Sequence, residues 1–218
     1  MRIVHAAVAG CLVLATGACG GTDGVTHAPV RVPHKAEVRR PPMVLGRMDG
    51  LPEGFFSHAR APWRPPFRPR ARACRLLFDA AAGRPPREGL SGATAATYQG
   101  AHAGELAGVG VAVYDGGEAA GHLAALRDAL SRCATADDGT PYDRLTGRTP
   151  LPGIGGPDAA GRALTGKVGG YPYRMHVVVA RSGHTLIALV HAGLAAPDPV
   201  RTAELTRLLV REVGTLDA

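Results

Sequence analysis

The stretch that decides the fold is Leu106-Ala-Gly-Val-Gly-Val-Ala-Val-Tyr114, followed by Asp115-Gly-Gly-Glu118 and an apolar helical pattern that runs to Cys133. Valines alternate with glycine and alanine, which predicts a β-strand with one bulky face and one bare face. A bare face permits the close approach of a helix or a ligand. The Asp115 to Glu118 segment resembles a capping box and predicts the start of a helix.

Two cysteines lie on the apolar stripes of predicted helices. Cys74 belongs to a helix that begins near Ala71 and ends at Gly83, and Cys133 ends the stripe of the helix after the first clear strand. Apolar steps of three and four residues place both cysteines towards the core. We therefore predict a Cys74–Cys133 disulfide, which would close a loop of about 60 residues and contribute about 4 kcal/mol. A free reactive thiol is the alternative.

The C-terminal third predicts a hairpin and a final helix. Tyr171–Arg181 and His184–Gly193 read as two strands around a two-residue turn at Ser182-Gly183. Asp198 is expected to cap the last helix. Residues 134–170 are rich in Gly, Asp and Pro and predict a long irregular loop, a kind of segment that is often functional. Together the elements predict an α+β domain, an antiparallel sheet of about four or five strands with helices packed on it.

One face of the hairpin holds the candidate ligand-binding residues. The predicted turn places Arg174 opposite His191 and puts His176 on the same face. One arginine and two histidines suit an anionic or pH-dependent ligand. A solvated sheet face is the alternative. No third ligand has a spacing suited to zinc, so we predict no metal.

The sequence offers no positive evidence for an enzyme. Gly153-Ile-Gly155-Gly156 follows no strand and lacks the Lys-Ser/Thr ending of a phosphate loop. Asp137, Asp138 and Asp143 resemble a calcium loop only superficially, because position twelve is Arg148 rather than Glu. The chain has no Gly-x-Ser-x-Gly motif and no paired carboxylates for glycoside hydrolysis. We predict no cofactor.

The N-terminus predicts export and lipidation. Arg2 precedes a short apolar run that is typical of a cleaved signal peptide, residues 1–18, rather than a permanent span. Thr16-Gly17-Ala18-Cys19 resembles the bacterial lipobox, so we expect lipid on Cys19, although Leu is commoner where Thr16 stands. A similar motif ending at Cys11 leaves too short an apolar region. A plain secretory signal cut near Ala18 and an uncleaved anchor are the alternatives.

Export leaves Cys74 and Cys133 with only each other to pair with. Cys11 leaves with the signal and Cys19 takes lipid, and exported proteins fold in an oxidising compartment. This arithmetic supports the disulfide independently of the helical stripes.

Charge is unevenly distributed along the chain. Residues 20–75 carry 11 basic and 4 acidic side chains, a balance of +7, whereas residues 76–218 carry 13 and 14, a balance of −1. Residues 19–45 predict a disordered, lipidated tether and residues 46–216 the folded domain. A nucleic-acid binder would concentrate charge on its folded face, so we expect no nucleic-acid partner. The anionic membrane is the expected partner of the basic segment, and a solvated linker is the alternative.

The arginine-rich segment 58–73 contains four prolines and cannot form regular structure. Trp63 and Phe67 lie among its arginines. We expect these rings to fix the segment to the domain; contact with lipid headgroups is the alternative.

Four short motifs are typical of a known group of proteins: Leu51-Pro-Glu-Gly-Phe55, Cys74-Arg-Leu-Leu-Phe78, Val109-Gly-Val-Ala-Val-Tyr114 and Arg181-Ser-Gly-His-Thr-Leu186. Together they resemble a family of actinobacterial lipoproteins and sensor-like domains, and the plan is similar to the extracellular sensor domain of mycobacterial serine/threonine kinases of the PknH type. The resemblance implies an α+β sheet with a cleft and intramolecular disulfides. The kinase sensors carry a second disulfide, for which this sequence has no cysteines.

The functional prediction is therefore a lipid-anchored domain on the extracytoplasmic face of the cell membrane that binds or senses an envelope component. Its expected partners are the membrane, through lipid on Cys19, and a small-molecule or lipid ligand or an envelope protein. An envelope hydrolase and a structural or protein-interaction lipoprotein are the alternatives.

Overall fold

A computed structural model describes residues 45–214, in which three helices pack on a seven-stranded antiparallel sheet. The predicted signal peptide and Cys19, and nearly all of the predicted tether, lie outside this range. The strand order is β1-β2-β7-β6-β5-β4-β3. In chain order the elements are α1 (Arg72–Ala81), β1 (Leu90–Gln99), β2 (Leu106–Tyr114), α2 (Glu118–Arg132), β3 (Thr135–Asp137), β4 (Arg144–Pro150), β5 (Ala159–Val168), β6 (Tyr171–Ser182), β7 (Thr185–Gly193) and α3 (Pro199–Gly214).

The α+β class and the antiparallel sheet are confirmed, but the predicted strand number is too low. Residues 134–170, expected to form a loop, contain β3, β4 and β5 at one end of the sheet. These strands were hidden because each buries few large apolar side chains: Ala136, Leu145 and Leu164 point into the core, while many of their neighbours are partly or fully exposed. Gly and Thr replace the bulky residues by which strands are usually recognised.

The two faces of the sheet bury separate apolar clusters. Helices α1 and α2 cover one face, where their stripes meet side chains of β6 and β7 such as Met175 and Val190. Helix α3 covers part of the other face and packs on β6 and β7. Leu45 and Met48, at the start of the described chain, join the cluster under α3.

The bare face of β2 is used for close approach by the chain itself. A Cβ added at Gly110 would overlap the carbonyl oxygen of Ala80 at the end of α1, and one at Gly108 would lie 2.5 Å from the Cβ of Trp63. Only glycine permits backbone to approach a strand so closely. The sequence analysis expected either a helix or a ligand against this face. In the structure, helix α1 and the segment before it lie there.

The Cys74–Cys133 disulfide is present and joins α1 to the residue after α2. The two Cα atoms lie 4.9 Å apart and the bond spans 59 residues of sequence. Both cysteines are fully buried, at 0% and 1% exposure. The disulfide therefore ties together the two helices that cover one face of the sheet.

The arginine-rich segment is fixed to the domain by its aromatic rings. Trp63 and Phe67 are buried, and their ring centroids lie 5.6 and 6.1 Å from that of Phe78 in α1. The expected packing on the domain is confirmed.

The two predicted helix caps have different outcomes. The Asp198 carboxylate accepts the amide of Val200 at 2.8 Å, as expected at the start of α3. The capping box at Asp115 is wrong: α2 begins after Gly117 without a side-chain cap, and Asp115 accepts the hydroxyl of Ser91 instead. Gly116, at φ 57°, turns the chain between Asp115 and the helix.

Candidate functional site

The β6–β7 hairpin brings two histidines face to face. Its two-residue turn is Gly183-His184, one position later than predicted, so His176 pairs with His191 and Arg174 with Gly193. Gly183 has a φ of 52° and takes the first turn position, where the tight hairpin turns require a positive φ. Sliding the turn by one residue moves each cross-strand partner by two, so every side chain keeps its predicted face.

Both histidines lie under α3 in a buried polar network. His191 is 0% exposed and His176 is 6% exposed, so the alternative of a solvated face is wrong for them. The Nδ1 atoms of His176 and His191 lie 2.8 and 2.9 Å from the Thr202 hydroxyl. The Nε2 atom of His191 lies 3.1 Å from a carboxylate oxygen of Glu105. The network therefore links the residue before β2 with β6, β7 and α3.

The rim of this network carries a cation and an aromatic ring. Arg201 donates to Glu105 at 2.8 Å and to the carbonyl of Glu53 at 2.7 Å. Its guanidinium lies 4.8 Å from the centroid of the Phe55 ring, which also meets the His191 ring edge-on at 5.3 Å. These contacts close the outer end of the network with the segment before α1.

Burial keeps the imidazoles neutral. Desolvation and the neighbouring His191 together lower the pKa of His176 to about 4, against the opposing charge of Asp198. Desolvation also lowers the pKa of His191, against the opposing effect of its hydrogen bond to Glu105 and of the charge of that carboxylate. For Glu105 itself, burial acts to raise the pKa, but hydrogen bonds from His191 and the His102 amide and the charge of Arg201 outweigh it and leave the pKa lowered.

Counting donors then fixes the direction of each hydrogen bond. Neutral His191 donates its Nε2–H to ionised Glu105, so its bare Nδ1 accepts the Thr202 hydroxyl proton. The Thr202 oxygen in turn accepts Nδ1–H of His176. The Asp198 carbonyl also lies 2.9 Å from this hydroxyl, but it accepts a hydrogen bond from the Thr202 backbone amide at 3.0 Å. The Thr202 hydroxyl and the two histidine Nδ1 atoms beside it are thus all hydrogen-bonded without any buried imidazolium, whereas Nε of Arg201 at the rim is buried and has no partner within residues 45–214.

The order hydroxyl, imidazole, carboxylate is that of a hydrolase triad, but the surroundings differ from those of a nucleophile. Thr202 is 0% exposed and its oxygen is held by both histidines. A nucleophile needs room for the reacting carbonyl and donors for the developing oxyanion. The network therefore serves to anchor α3 on the sheet.

The three predicted ligand residues are only partly brought together. His176 and His191 are neighbours, whereas Arg174 is exposed at the near end of β6 and forms no ion pair within residues 45–214. A ligand role for the three residues stays a prediction.

Sequence reasoning missed Glu105, Thr202 and Arg201. Thr202 had a detectable signal, since it stands three residues before Leu205 on the apolar stripe of α3, where a polar residue needs a buried partner. Glu105 directly precedes the apolar strand β2. Nothing in the sequence indicates which histidine either would meet.

A groove between residues 65–69 and α1 has a volume of about 570 Å³ and a mixed lining. Phe67 and Phe78 contribute its aromatic part, and Arg68, Arg75 and Arg84 its basic part. Arg84 is paired with Asp79 at 2.6 Å. Arg75 donates to the carbonyls of the segment, and Arg68 is exposed without a hydrogen bond to residues 45–214.

Comparison with known proteins gives a structural likeness but no sequence relative. No protein-family model and no curated protein matches the sequence. The fold is similar to the crystal structure of the extracellular domain of PknH from Mycobacterium tuberculosis, with a TM-score of 0.45 and 13% identity. The match covers 58% of this chain and 66% of that chain, just under two thirds of its length. No residue role is carried over from it. Within residues 45–214, no helix is long and apolar enough to cross a membrane.

Proposed function

We propose that this chain is an exported lipoprotein whose folded part is a binding or sensor domain of the cell envelope. Residues 1–18 are its signal peptide, lipid on Cys19 anchors it, residues 19–45 are a tether and residues 46–216 the domain. It lies on the extracytoplasmic face of the cell membrane.

The observation that carries this proposal is the buried Cys74–Cys133 disulfide. Disulfides of this kind persist in exported proteins and are rare in reducing compartments. The pair also uses the two cysteines that remain once Cys11 and Cys19 are assigned to the export segment. Disulfide, signal pattern and lipobox thus agree on one location.

The groove beside α1 supports the binding part of the proposal. It combines aromatic rings with two arginines, Arg68 and Arg75, that no carboxylate neutralises within residues 45–214. Apolar lining with a few placed charges is typical of small-molecule sites. We infer an anionic amphiphile or aromatic anion as its ligand class. The buried threonine of the polar network gives the hydrolase alternative no accessible nucleophile.

Metabolic labelling tests the anchor. In a bacterial host that processes lipoproteins, an alkyne palmitate analogue should label the wild-type chain and the Cys11→Ala variant, and Cys19→Ala should abolish labelling. Equal labelling of wild type and Cys19→Ala would refute the anchor.

Tryptophan fluorescence tests the groove, because the chain has one tryptophan and its ring lies 5.6 Å from that of Phe78. The anionic dye 1-anilinonaphthalene-8-sulfonate should quench Trp63 saturably. Arg68→Gln with Arg75→Gln should weaken dye binding roughly tenfold, since each of the two surface charge contacts is worth about 0.7 kcal/mol. Exposed Arg72→Gln with Arg87→Gln is the matched control. Equal weakening by both pairs would remove the groove as the site.

A further inference from the structure

Among residues 45–214, no helix lies over part of the sheet face on the α3 side. Helix α3 lies over β6 and β7, and Leu151 and Ile154 of the β4–β5 connection cover the start of β5 at Gly161. The opposite ends of β4 and β5 and the start of β6 remain open on this side.

Strand alternation determines which side chains occupy that open area. Leu145, Leu164 and Met175 point to the α1 and α2 side, where they are buried. Their neighbours along each strand therefore point to the other side. The pairing aligns Arg144 with Lys167, and Thr165 with both Thr146 and Arg174. Arg148 reaches the same area, because its Nε donates to the Thr165 hydroxyl at 3.0 Å.

Four exposed cations thus share one surface, the basic sheet face, formed by Arg144, Arg148, Lys167 and Arg174. None of them forms an ion pair within residues 45–214. The register places the acidic Asp137 opposite Arg144, yet the two do not meet as a salt bridge.

The arrangement is unfavourable in the isolated domain. Arg144 and Lys167 are direct cross-strand partners, and like charges in that position destabilise a sheet. Neighbouring strands are about 4.8 Å apart, so the cations repel one another unless an anion lies over them. The balance of −1 for residues 76–218 conceals this local concentration of positive charge.

We propose that the basic sheet face binds the anionic phospholipid surface of the membrane. This inference rests on the proposed anchor, because lipid on Cys19 would keep a bilayer within reach. A flexible tether of about 26 residues has a root-mean-square length of roughly 28 Å. Leu45 packs under α3, so the described chain begins on the same side of the sheet as the basic face. An exposed group of cations on a sheet face suits a headgroup surface better than it suits a small ligand.

Vesicle sedimentation tests the proposal without any contribution from the lipid anchor. The probe is the chain from residue 19 onwards carrying Cys19→Ser, with vesicles of phosphatidylcholine alone or mixed with phosphatidylglycerol. Binding should require phosphatidylglycerol and weaken as salt rises. The variant Arg144→Gln/Lys167→Gln/Arg174→Gln should lower the partition coefficient roughly a hundredfold, at about fivefold for each of the three charges.

A variant with the same change in net charge separates this face from general electrostatics. Arg72→Gln/Arg87→Gln/Arg132→Gln removes three exposed cations on or next to α1 and α2, and should lower binding less than threefold, because distant charges are screened. Equal losses in the two triple variants, or equal binding to both kinds of vesicle, would overturn the proposal. Both outcomes are independent of palmitate labelling at Cys19, so failure of the face and failure of the anchor are distinguishable.

Discussion

Thr202 shows at the scale of one residue why the polar network is a structural anchor. The Thr202 hydroxyl forms hydrogen bonds with two buried imidazoles, those of His176 and His191. The Glu105 carboxylate accepts a hydrogen bond from the other nitrogen of His191. Buried polar groups cost little while paired and much when one partner is removed. The stability of α3 on the sheet therefore depends on one small side chain.

Replacing Thr202 with Val should lower the free energy of unfolding by about 2–4 kcal/mol, because two buried imidazole nitrogens lose their partner. Urea denaturation measures the change, and Thr202→Ser should restore most of it. Thr206→Val is the matched control, since that hydroxyl bonds only to the Thr202 carbonyl within the helix. A loss no larger than the control's would contradict the role given to the network.

The stability of the domain should fall as pH falls from 7 to 5. Unfolded histidine takes up a proton near pH 6.5, whereas burial and His191 hold the pKa of His176 at about 4 in the folded state. The unfolded state then binds more protons across this window, which costs roughly 2 kcal/mol of stability by pH 5. Glu105, with its lowered pKa, stays ionised there and contributes no comparable change.

Urea denaturation at pH 7, 6 and 5 measures this dependence, with His176→Asn as the comparison. Its amide can still donate to Thr202 but does not titrate. The variant should show a flatter profile than the wild type. Parallel profiles would assign the pH dependence to other groups.

At the scale of elements, β2 shows how a missing side chain determines packing. Helix α1 ends against Gly110, and the residues before α1 cross Gly108. The valines of the same strand fill the opposite cluster under α3. One strand thus sets the distance of a helix on one side and supplies core volume on the other.

Gly110→Ala should destabilise the domain by more than about 3 kcal/mol or prevent its folding, because the new methyl group meets backbone that cannot move alone. Gly121→Ala is the control: no atom lies within 4 Å of its added Cβ, on the exposed side of α2. Loss of glycine there should raise stability by about 0.5–1 kcal/mol. Thermal unfolding compares the two, and similar melting temperatures would contradict the close approach.

Elements with a clear periodic pattern of apolar residues were predicted from the sequence, and elements without one were not. The stripes of α1 and α2 located both cysteines on buried faces, and alternation in β6 and β7 gave the correct face for every side chain. The hairpin register was off because Ser182-Gly183 and Gly183-His184 are both plausible turns, and only backbone geometry distinguishes them. Strands β3 to β5 were not predicted, because pairing with neighbouring strands, rather than local sequence preference, makes these Gly-rich and Thr-rich segments extended.

The candidate sites were less predictable than the fold. The two histidines were found, but their partners come from α3 and from the residue before β2, which only the folded chain brings together. The basic sheet face was missed because three of its four cations, Arg144, Arg148 and Lys167, lie in the segment that was expected to be a loop. Their charge was also cancelled in the sum by acidic residues elsewhere.

At the scale of the whole molecule, the disulfide links the helical layer across 59 residues. Replacing both cysteines with Ala should lower stability by about 4 kcal/mol through the greater freedom of the unfolded chain. Urea denaturation with and without reductant measures it. Reductant should destabilise the wild type and leave the double variant unchanged; a wild type insensitive to complete reduction would contradict the expected contribution.

The chain as a whole is proposed to join an anchor, a tether and a disulfide-stabilised domain with a basic face towards the membrane. Export and lipidation are the premise on which the redox argument and the membrane contact both depend. Both would be recorded at Cys19, where the signal peptide is proposed to be removed and lipid attached to the sulfur.

Mass spectrometry of the N-terminal peptide of the membrane-extracted protein tests that premise most directly. The account predicts a peptide that begins at Cys19 and carries diacylglycerol on its sulfur. A peptide that continues through Ala18 into an unmodified Cys19 would contradict it.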